Sequence, residues 1–443
     1  MNTRTDTKRR PRARVATALA AAFALVASGF AFAQDHPPIN ILINDSPWFG
    51  GFESLVEQYE QDTGNVVNLT VTPFPGMLQR SRNAVTASES EFDLINLNEQ
   101  WYSQFYAGGL VSPIHDIDPD FALDPEVIEY DAATRWNDEI GFSTSDGALY
   151  GLPINGNIQL FFYRQDLFNE AGLDAPVTWA DVEAAAEALH DPPSRFALVN
   201  RTSPNNWEVQ SYLHSFGGGV IELDEDSGQW NVVLNSPESI EGLERWIRYS
   251  RDFGPPNYAD LGQAEVISLL ASGRAAMGHM VGAAAPNLDD PDQSTVVGQV
   301  AATVVPGPSA EQRATMSGIW VMGIPANLPN ERQRAALAFM EYALTFEAQM
   351  HYAREGAIPV RQDVYETLGQ EEGFAWMQAM ADSTPYITAQ PRVTEAPQII
   401  EVLTNHVSEA MLGAMEPADA LQRAAEEIHA ILEGGGHDVA PLQ

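Results

Sequence analysis

The segment that decides the fold is Tyr150–Leu173, which reads YGLPINGNIQLFFYRQDLFNEAGL. One short apolar run ends at Pro153, and a second run, Ile158–Tyr163, leads into a short helix. Asn155 and Asn157 lie between the two runs. Amides are poor core residues because each must find hydrogen-bond partners. The pattern therefore predicts a chain crossing between two lobes, with a ligand in the gap that satisfies the amides.

The N-terminus has the features of an export signal. Six basic residues precede an apolar, Ala-rich run, Val15–Phe32, and small residues follow at the cleavage position. We expect a signal peptide over 1–33, cleavage after Ala33 and a periplasmic protein. An uncleaved membrane anchor is the alternative, because the run approaches spanning length. The Arg9-Arg10 pair leaves open which export route is used, and the absence of Cys excludes a lipid-anchored N-terminus.

The chain is strongly acidic, with 61 Asp and Glu against 23 Lys and Arg and a formal net charge of −38. The predicted signal peptide holds six of the basic residues and one acidic residue, which leaves 17 basic and 60 acidic residues in the mature chain. Such a field repels nucleic acid and anionic membranes, which argues against both as partners. Acids scattered along the chain favour an adaptation to high salt, where mobile ions screen the self-repulsion. Cation binding is the alternative.

The mature chain, about 410 residues, is too long for one ordinary core and suits two lobes. Its first part alternates apolar runs with residues at helical spacing. The predicted strands are Ile39–Asn44, Val66–Val71 and Phe92–Leu97, and the predicted helices are Phe52–Gln61 and Met77–Ala87. This order indicates a parallel α/β sheet, which binds ligands beyond the carboxyl ends of its strands. The rule points to Ser46–Trp48, Phe74–Gly76 and Asn98–Trp101.

The rest of the chain adds mostly helices. Helical spacing is found over Thr178–His190, Asn206–Phe216, Pro237–Arg251, Gln263–Ser272, Glu331–Thr345, Phe346–Glu355, Gly373–Met380, Pro397–Leu412 and Pro417–Glu433. Three further segments, Gly273–Met280, Val297–Val305 and Gly318–Ile324, are β-prone. This mixture of strands and helices predicts the α/β class for the later part of the chain as well.

Seven landmarks occur in the order found in one protein family. They are Glu57–Gly64, Glu91–Ile95 with Phe105–Ile114, Tyr150–Leu173, Ser272–Met277, Ser317–Pro325, Glu355–Arg361 and Pro391–Val393. In this order the chain resembles the extracellular solute-binding proteins of ABC importers, in particular the large sugar-binding, maltose-binding-protein-like family. The resemblance implies the type II periplasmic binding protein fold, in which two α/β lobes, each a sheet flanked by helices, are joined by hinge crossings.

The resemblance also implies how the chain is divided and what it binds. The N-terminal lobe would hold 38–154 and 291–329, and the C-terminal lobe 155–290 and 330–443. The lobes would close like a hinge around the ligand. The implied partners are a small-molecule sugar or polyol and the permease subunits of an ABC transporter in the membrane, and we expect a monomer.

Sugar recognition needs flat apolar faces for the C–H side of the ring, and fixed amides, carboxylates or Arg for the hydroxyls. The candidate ligand-binding residues that meet these needs are Ser46, Trp48, Phe74, Asn98, Glu99, Gln100, Trp101, Asn155, Asn157, Asn206, Trp207, His279, Trp320 and Arg392. Core packing, helix capping or an ion pair with one of the many acids is the alternative role for these residues.

The resemblance sharpens several of these candidates. It implies that Asn157, Trp207 and Trp320 stand where family members bring side chains to the ligand. The family often has a carboxylate where Asn157 stands, so the amide indicates a neutral solute. Arg392 suits forked donation to vicinal hydroxyls. No aromatic residue closely follows His279, which suggests a smaller or differently stacked ligand.

Catalytic signatures are missing from the sequence, which has no Gly-x-Ser-x-Gly elbow, no His-Glu-x-x-His motif, no phosphate loop and no dinucleotide fingerprint. We expect no catalytic residue, no metal and no cofactor, and we expect capture of a carbohydrate or polyol. A secreted glycosidase stays open, because acids are numerous enough to supply a carboxylate pair. A receptor for a polyamine, metal or peptide also stays open, because Glu99 and Glu208 lie near the candidate site. The lysine-free mature chain raises the hypothesis of a compatible-solute sugar, such as a glycosylated polyol.

Overall fold

The computed structural model of the protein describes residues 37–224 and 227–442. The predicted signal peptide, 1–33, lies outside these residues. Within the described ranges, no helix combines the length and apolar character needed to cross a membrane. Two larger sheets and several two-stranded sheets organise the chain.

The elements of the described ranges are as follows in chain order. The strands are β1 (Ile39–Asn44), β2 (Val67–Thr72), β3 (Leu94–Asn98), β4 (Arg135–Trp136), β5 (Ala148–Leu149), β6 (Gly151–Asn155), β7 (Gln159–Arg164), β8 (Phe196–Asn200), β9 (Ile221–Asp224), β10 (Gln229–Val232), β11 (Ala275–Val281), β12 (Val300–Thr303), β13 (Thr315–Met316), β14 (Trp320–Gly323) and β15 (Ile387–Thr388). The helices are α1 (Phe49–Thr63), α2 (Phe74–Thr86), α3 (Tyr102–Ala107), α4 (Ile114–Ile117), α5 (Asp131–Thr134), α6 (Gln165–Ala171), α7 (Trp179–Leu189), α8 (Glu208–Ser215), α9 (Pro237–Phe253), α10 (Gln263–Ala271), α11 (Ala285–Asp289), α12 (Asn330–Ala343), α13 (Phe346–Arg354), α14 (Gln362–Leu368), α15 (Trp376–Ser383), α16 (Ala396–Met411) and α17 (Pro417–Gly434). Short 3-10 turns lie at Tyr258–Asp260, Gly282–Ala284 and Thr384–Tyr386.

The first sheet has the strand order β2-β1-β3-β14-β6. Strand β1 lies between β2 and β3 and is parallel to both, with Ile41 opposite Leu69 and Leu94. Strand β14 runs antiparallel to β3 and β6. Helices α1 and α2 connect the three parallel strands, as crossover connections must. The strand–helix alternation predicted for this part of the chain is confirmed.

The starts of α1 and α2 bring aromatic residues to the end of the first sheet. Helix α1 follows Trp48 and stops at Gly64, whose positive φ of 74° suits glycine and whose N–H donates to Glu60 O. Helix α2 begins at Phe74, earlier than predicted, because Pro75 is tolerated in the first turn. Trp48 and Phe74 therefore stand just beyond the carboxyl ends of β1 and β2.

The second sheet has the strand order β12-β7-β11-β8. Strand β7 is antiparallel to β11 and β12, and β8 is parallel to β11. Helix α8 packs against α9, and α16 packs against α17. In this core Trp179 stacks on Tyr212, with ring centroids 4.2 Å apart. Each larger sheet thus has helices packed beside it.

Some segments pack beside a different sheet from the one that the sequence-based division gives; β12 and α12 are two examples, and α13 also packs against α1. Strand β12 falls within 291–329, which was assigned to the first lobe, but it pairs with β7 in the second sheet. Helix α12 was assigned to the second lobe, but its Phe339 ring lies 5.0 Å from the Tyr59 ring of α1. The physical reason is that a β-prone run or an amphipathic helix does not specify which sheet it joins. These contacts move 300–303 to the second sheet and α12 to the first.

Candidate functional site

Four aromatic side chains gather at the carboxyl ends of the parallel strands, and we call them the aromatic cluster: Trp48, Phe74, Trp101 and Trp320. The first three follow β1, β2 and β3, and Trp320 opens β14 opposite Asn98. The Trp320 ring centroid lies 6.2 Å from that of Trp48 and 6.0 Å from those of Phe74 and Trp101. The Phe74 and Trp101 centroids are 5.0 Å apart. Four elements distant in sequence thus build one apolar wall.

The cluster has one open edge. Phe74 is 42% exposed, whereas Trp48, Trp101 and Trp320 are buried. An apolar wall with an exposed edge suits the C–H side of a sugar or polyol, which packs on aromatic faces. All four residues are among the fourteen candidate ligand contacts selected from the sequence, which did not predict the contacts between them.

The amides that follow β6 have different surroundings. The Asn155 amide is satisfied when its nitrogen donates to Ile358 O at 3.2 Å and its oxygen accepts from Trp48 Nε1 at 3.3 Å. Asn155 therefore orients Trp48. Asn157 is 8% exposed, and its Oδ1 has no hydrogen-bond partner among the described residues. This oxygen is a buried acceptor that a ligand hydroxyl could satisfy.

Glu99 is a buried carboxylate whose hydrogen bonds go to the protein. Ser317 Oγ donates to its two oxygens at 2.6 and 2.7 Å. The N–H groups of Ile319 and Gln390 donate to it at 3.2 and 2.9 Å. Burial raises the pKa of Glu99, and these hydrogen bonds oppose the rise. Glu99 therefore ties the end of β3 to the segment before β14 and to the segment after β15.

The pair Ser317-Gly318 is also held from the side of the second sheet. Trp207, just before α8, donates from Nε1 to Ser317 O at 2.7 Å. Gly318 N–H donates to Asn157 O at 2.9 Å. A Cβ at position 318 would lie 2.7 Å from Trp207 Cζ2, so glycine is what permits this close approach. Glu99, Trp207 and Asn157 thus converge on two residues between the sheets.

The remaining candidates of the first lobe make local contacts. Ser46 Oγ accepts a hydrogen bond from Asn44 Nδ2. Asn98 Oδ1 accepts from Gln100 N–H at 3.2 Å, and Gln100 Nε2 donates to Gln390 Oε1 at 3.1 Å. These contacts shape the loop after β3, which carries Trp101.

The candidates of the second lobe divide between the edge and the core. Asn206 is buried, and its backbone oxygen accepts from Gln210 Nε2 at 2.6 Å. His279 lies in the middle of β11 and is fully buried, with its ring 5.8 Å from that of Tyr212. Burial lowers the pKa of His279 to about 3, so the ring is neutral. The Tyr212 contact places His279 in the core of the second lobe. Strand alternation alone does not reveal which face of the sheet it occupies.

Arg392 packs on Phe142, a residue outside the aromatic cluster. Its guanidinium carbon lies 4.4 Å from the centroid of the Phe142 ring. It also contributes an electrostatic interaction that lowers the pKa of Glu99. Arg392 lines a cavity with Phe142 and Gln390. The structure therefore places this side chain beside a separate cavity.

Sequence reasoning missed several residues that the structure brings close to the candidates. Ser317 and Gln390 were not selected, although Ser317 opens one quoted landmark and Gln390 directly precedes another, because their partner Glu99 is remote in sequence. Glu208 was noted only for its proximity. It is fully buried, its Oε2 lies 3.9 Å from Arg201 Nε, and burial raises its pKa to about 7. Within the described ranges, no three His, Asp or Glu side chains are grouped so that they could hold a metal ion.

Known proteins share this architecture. The model of the bacterial extracellular solute-binding protein family matches residues 54–379. The mannitol-binding protein of Pseudomonas aeruginosa is 25% identical over 270 residues, which are 60% of this chain and only 59% of that protein. The erythritol/L-threitol-binding protein of Mycolicibacterium smegmatis is 21% identical over 350 residues, which are 74% of this chain and 71% of that protein.

A solved structure supports the fold. The crystal structure of an ABC transporter solute-binding protein from Agrobacterium radiobacter in complex with ribitol has a TM-score of 0.74 and 23% identity, over 89% of this chain and 98% of that chain. This likeness confirms the expected α/β fold with sheets flanked by helices. Since the family model covers most of the chain, the protein belongs to the bacterial extracellular solute-binding protein family, which confirms the resemblance drawn from its ordered sequence landmarks.

Proposed function

We propose that this protein captures a carbohydrate or polyol between its two lobes and delivers it to the permease of an ABC importer. The observation that carries the proposal is the aromatic cluster at the carboxyl ends of three parallel strands. In α/β sheets this is where ligands bind. One relative is named as a mannitol-binding protein and another as an erythritol/L-threitol-binding protein, and both names support the same class of ligand.

The polar groups of the site favour a neutral ligand. The Oδ1 atom of Asn157 is an uncharged acceptor. The Asn157 side chain lies beside Gly318, and Gly318 is two residues before Trp320 in the chain. The carboxylate of Glu99 already accepts from Ser317, Ile319 and Gln390. A polyamine site needs carboxylates that are free to pair with cations. The site therefore suits hydroxyl groups better than ammonium groups.

Hinge closure is the motion that this proposal requires. Ligand contacts favour the closed state only if they are tighter there than in the open state. Trp207 from the second lobe reaches Ser317 O at 2.7 Å, beside the segment that carries Trp320. A ligand bound on the aromatic cluster would thus lie next to Ser317-Gly318, the dipeptide that residues of both lobes contact. We assign ligand recognition to the aromatic cluster and Asn157.

The proposal extends to export. Membership of the extracellular solute-binding protein family supports export from the cytoplasm. We propose that residues 1–33 direct this export and are removed. Sequencing the N-terminus of the exported protein should give Gln34 first. A mature chain that still begins at Met1 would support a retained anchor instead.

A thermal-shift screen tests the proposed ligand class. The ligands are mannitol, ribitol, erythritol, maltose and spermidine, each at several concentrations, because a ligand at 100 times its Kd stabilises the folded state by about 2.7 kcal/mol. We expect a concentration-dependent rise of Tm with at least one sugar or polyol and none with spermidine. Each oligosaccharide sample is then analysed for hydrolysis products. A shift with spermidine alone, or turnover of maltose, would contradict the proposal.

A further inference from the structure

A cavity of about 380 Å³ lies between α8, the β9–β10 hairpin and the segment after β15. We call it the annex and define it by Phe142, Gln210, Trp230, Gln390 and Arg392, which all line it. Its volume falls in the range of about 300–1,000 Å³ found for small-molecule sites. The aromatic cluster takes no part in its lining.

The annex has an aromatic wall and a forked cation. The Phe142 and Trp230 rings meet edge to face, with centroids 5.1 Å apart. The guanidinium carbon of Arg392 lies over the Phe142 ring, 4.4 Å from its centroid. In the part of the chain that the structure describes, no carboxylate lies within 4 Å of this guanidinium. A guanidinium that lies over an aromatic ring can still donate hydrogen bonds from its N–H groups to a ligand.

Gln210 adds an acceptor that is fixed in orientation. Its Nε2 donates to Asn206 O at 2.6 Å, so the amide cannot rotate without losing that bond. Its Oε1 is buried and has no partner among the described residues. A buried unpaired acceptor is costly unless a ligand or water satisfies it. Arg392 and Gln210 thus give the annex both donors and an acceptor, beside aromatic rings, as hydroxyl recognition requires.

The annex lies next to the proposed ligand site. Gln390 accepts from Gln100 Nε2 at 3.1 Å, and its N–H donates to Glu99 at 2.9 Å. Gln100 directly precedes Trp101 of the aromatic cluster. One side chain of the annex therefore contacts the loop that carries the cluster, and this adjacency is the premise for a single ligand with two linked units.

We propose that the annex is a second subsite, which binds a polyhydroxylated unit joined to the unit on the aromatic cluster. The ligand class is then a glycosylated polyol or a disaccharide rather than a single small polyol. This inference rests on the proposed function, since it takes the aromatic cluster as the first subsite. The geometry gives each unit an aromatic face and at least one fixed polar group.

Calorimetric titration with matched ligands tests the annex. The probes are maltitol against sorbitol, and maltose against glucose, so that each pair differs by one glucosyl unit. We expect a two-unit ligand to bind at least about tenfold more tightly than its single unit, which corresponds to one additional good polar contact. Gln210→Met should weaken maltitol binding about tenfold and sorbitol binding less than twofold. Arg392→Gln should weaken maltitol binding by a similar factor.

Controls separate the possible outcomes. Gln362→Met makes the same chemical change on α14, at a residue that does not line the annex, and should alter no affinity. Tm values report whether each variant folds. If maltitol and sorbitol bind with equal affinity, and Gln210→Met and Arg392→Gln change neither affinity, the annex is not a subsite. The proposed function would still stand. An equal loss for both ligands in Gln210→Met would also overturn the annex. If no sugar or polyol binds the unmodified protein, the proposed function fails, and the annex fails with it.

Discussion

Ser317 Oγ donates to both carboxylate oxygens of Glu99, at 2.6 and 2.7 Å, although the two residues are 218 positions apart. The bond is buried and connects the end of β3 with the segment that leads from the second sheet to β14. The same segment accepts a hydrogen bond from Trp207 at Ser317 O. Residues of both lobes therefore contact the dipeptide Ser317-Gly318, a position from which they can hold the lobes in one relative orientation.

The first prediction concerns this bond. Glu99→Gln replaces one of the two acceptor oxygens by an NH₂ group, which then faces Ser317 Oγ and the backbone N–H of either Ile319 or Gln390. We expect the free energy of unfolding to fall by about 1–3 kcal/mol, the cost of unsatisfied buried groups. Denaturant titration of Glu99→Gln, Ser317→Ala and the double variant gives a mutant cycle. A coupling energy above about 0.5 kcal/mol is expected, and additive effects would show that the two side chains do not depend on each other.

The second prediction concerns the exposed edge of the aromatic cluster. Phe74 is 42% exposed, so Phe74→Ala should lower stability only slightly. It should weaken ligand binding about tenfold, because an aromatic face contributes on the order of 1 kcal/mol beyond area burial. Leu412→Ala is the control, since Leu412 is 71% exposed and lies after α16. Equal affinities for the two variants in calorimetric titration would remove Phe74 from the site.

The third prediction concerns the unpartnered amide. Asn157 Oδ1 accepts no hydrogen bond from the described residues, so Asn157→Ala removes no internal side-chain acceptor bond. The variant should melt within a few degrees of the unmodified protein. Its affinity for the ligand should fall about tenfold, because the ligand loses one buried hydrogen bond. Unchanged affinity would mean that Asn157 does not contact the ligand.

The fourth prediction concerns pH. Burial raises the pKa of Glu208 from 4.5 to about 7 in the folded protein. Between these values the folded state binds more protons than the unfolded state, so stability falls as pH rises. Glu208→Gln removes this dependence. Compared with the unmodified protein, the variant should gain more unfolding free energy at pH 8 than at pH 5, with a difference of roughly 3 kcal/mol at most. Melting curves at both pH values check this, and an equal effect at pH 5 and pH 8 would contradict it.

Local pattern was enough to predict much of the first lobe. The alternation that begins with Ile39–Asn44 could be read because apolar runs and helical spacing are local signals. The position of Trp48, Phe74 and Trp101 beyond the ends of β1, β2 and β3 could be predicted because a parallel sheet collects the residues that follow its strands. Trp320 was found only through the family resemblance, since β14 joins this sheet from far along the chain.

Contacts between remote residues could not be predicted in the same way. Glu99 was selected as a ligand contact, but its acceptor capacity is used by Ser317, Ile319 and Gln390. His279 was given to the cleft, yet it faces Tyr212 in a core. Polarity after a strand indicates that a side chain needs partners, and it does not indicate whether those partners are ligand or protein.

The central claim is that the aromatic cluster and Asn157 bind a neutral polyhydroxylated solute. Isothermal titration of the purified protein with mannitol, ribitol, maltitol, maltose and spermidine tests it most directly. The account predicts saturable binding of at least one sugar or polyol with one site per chain, and no binding of spermidine. Binding of spermidine alone, or of none of the five, would contradict it.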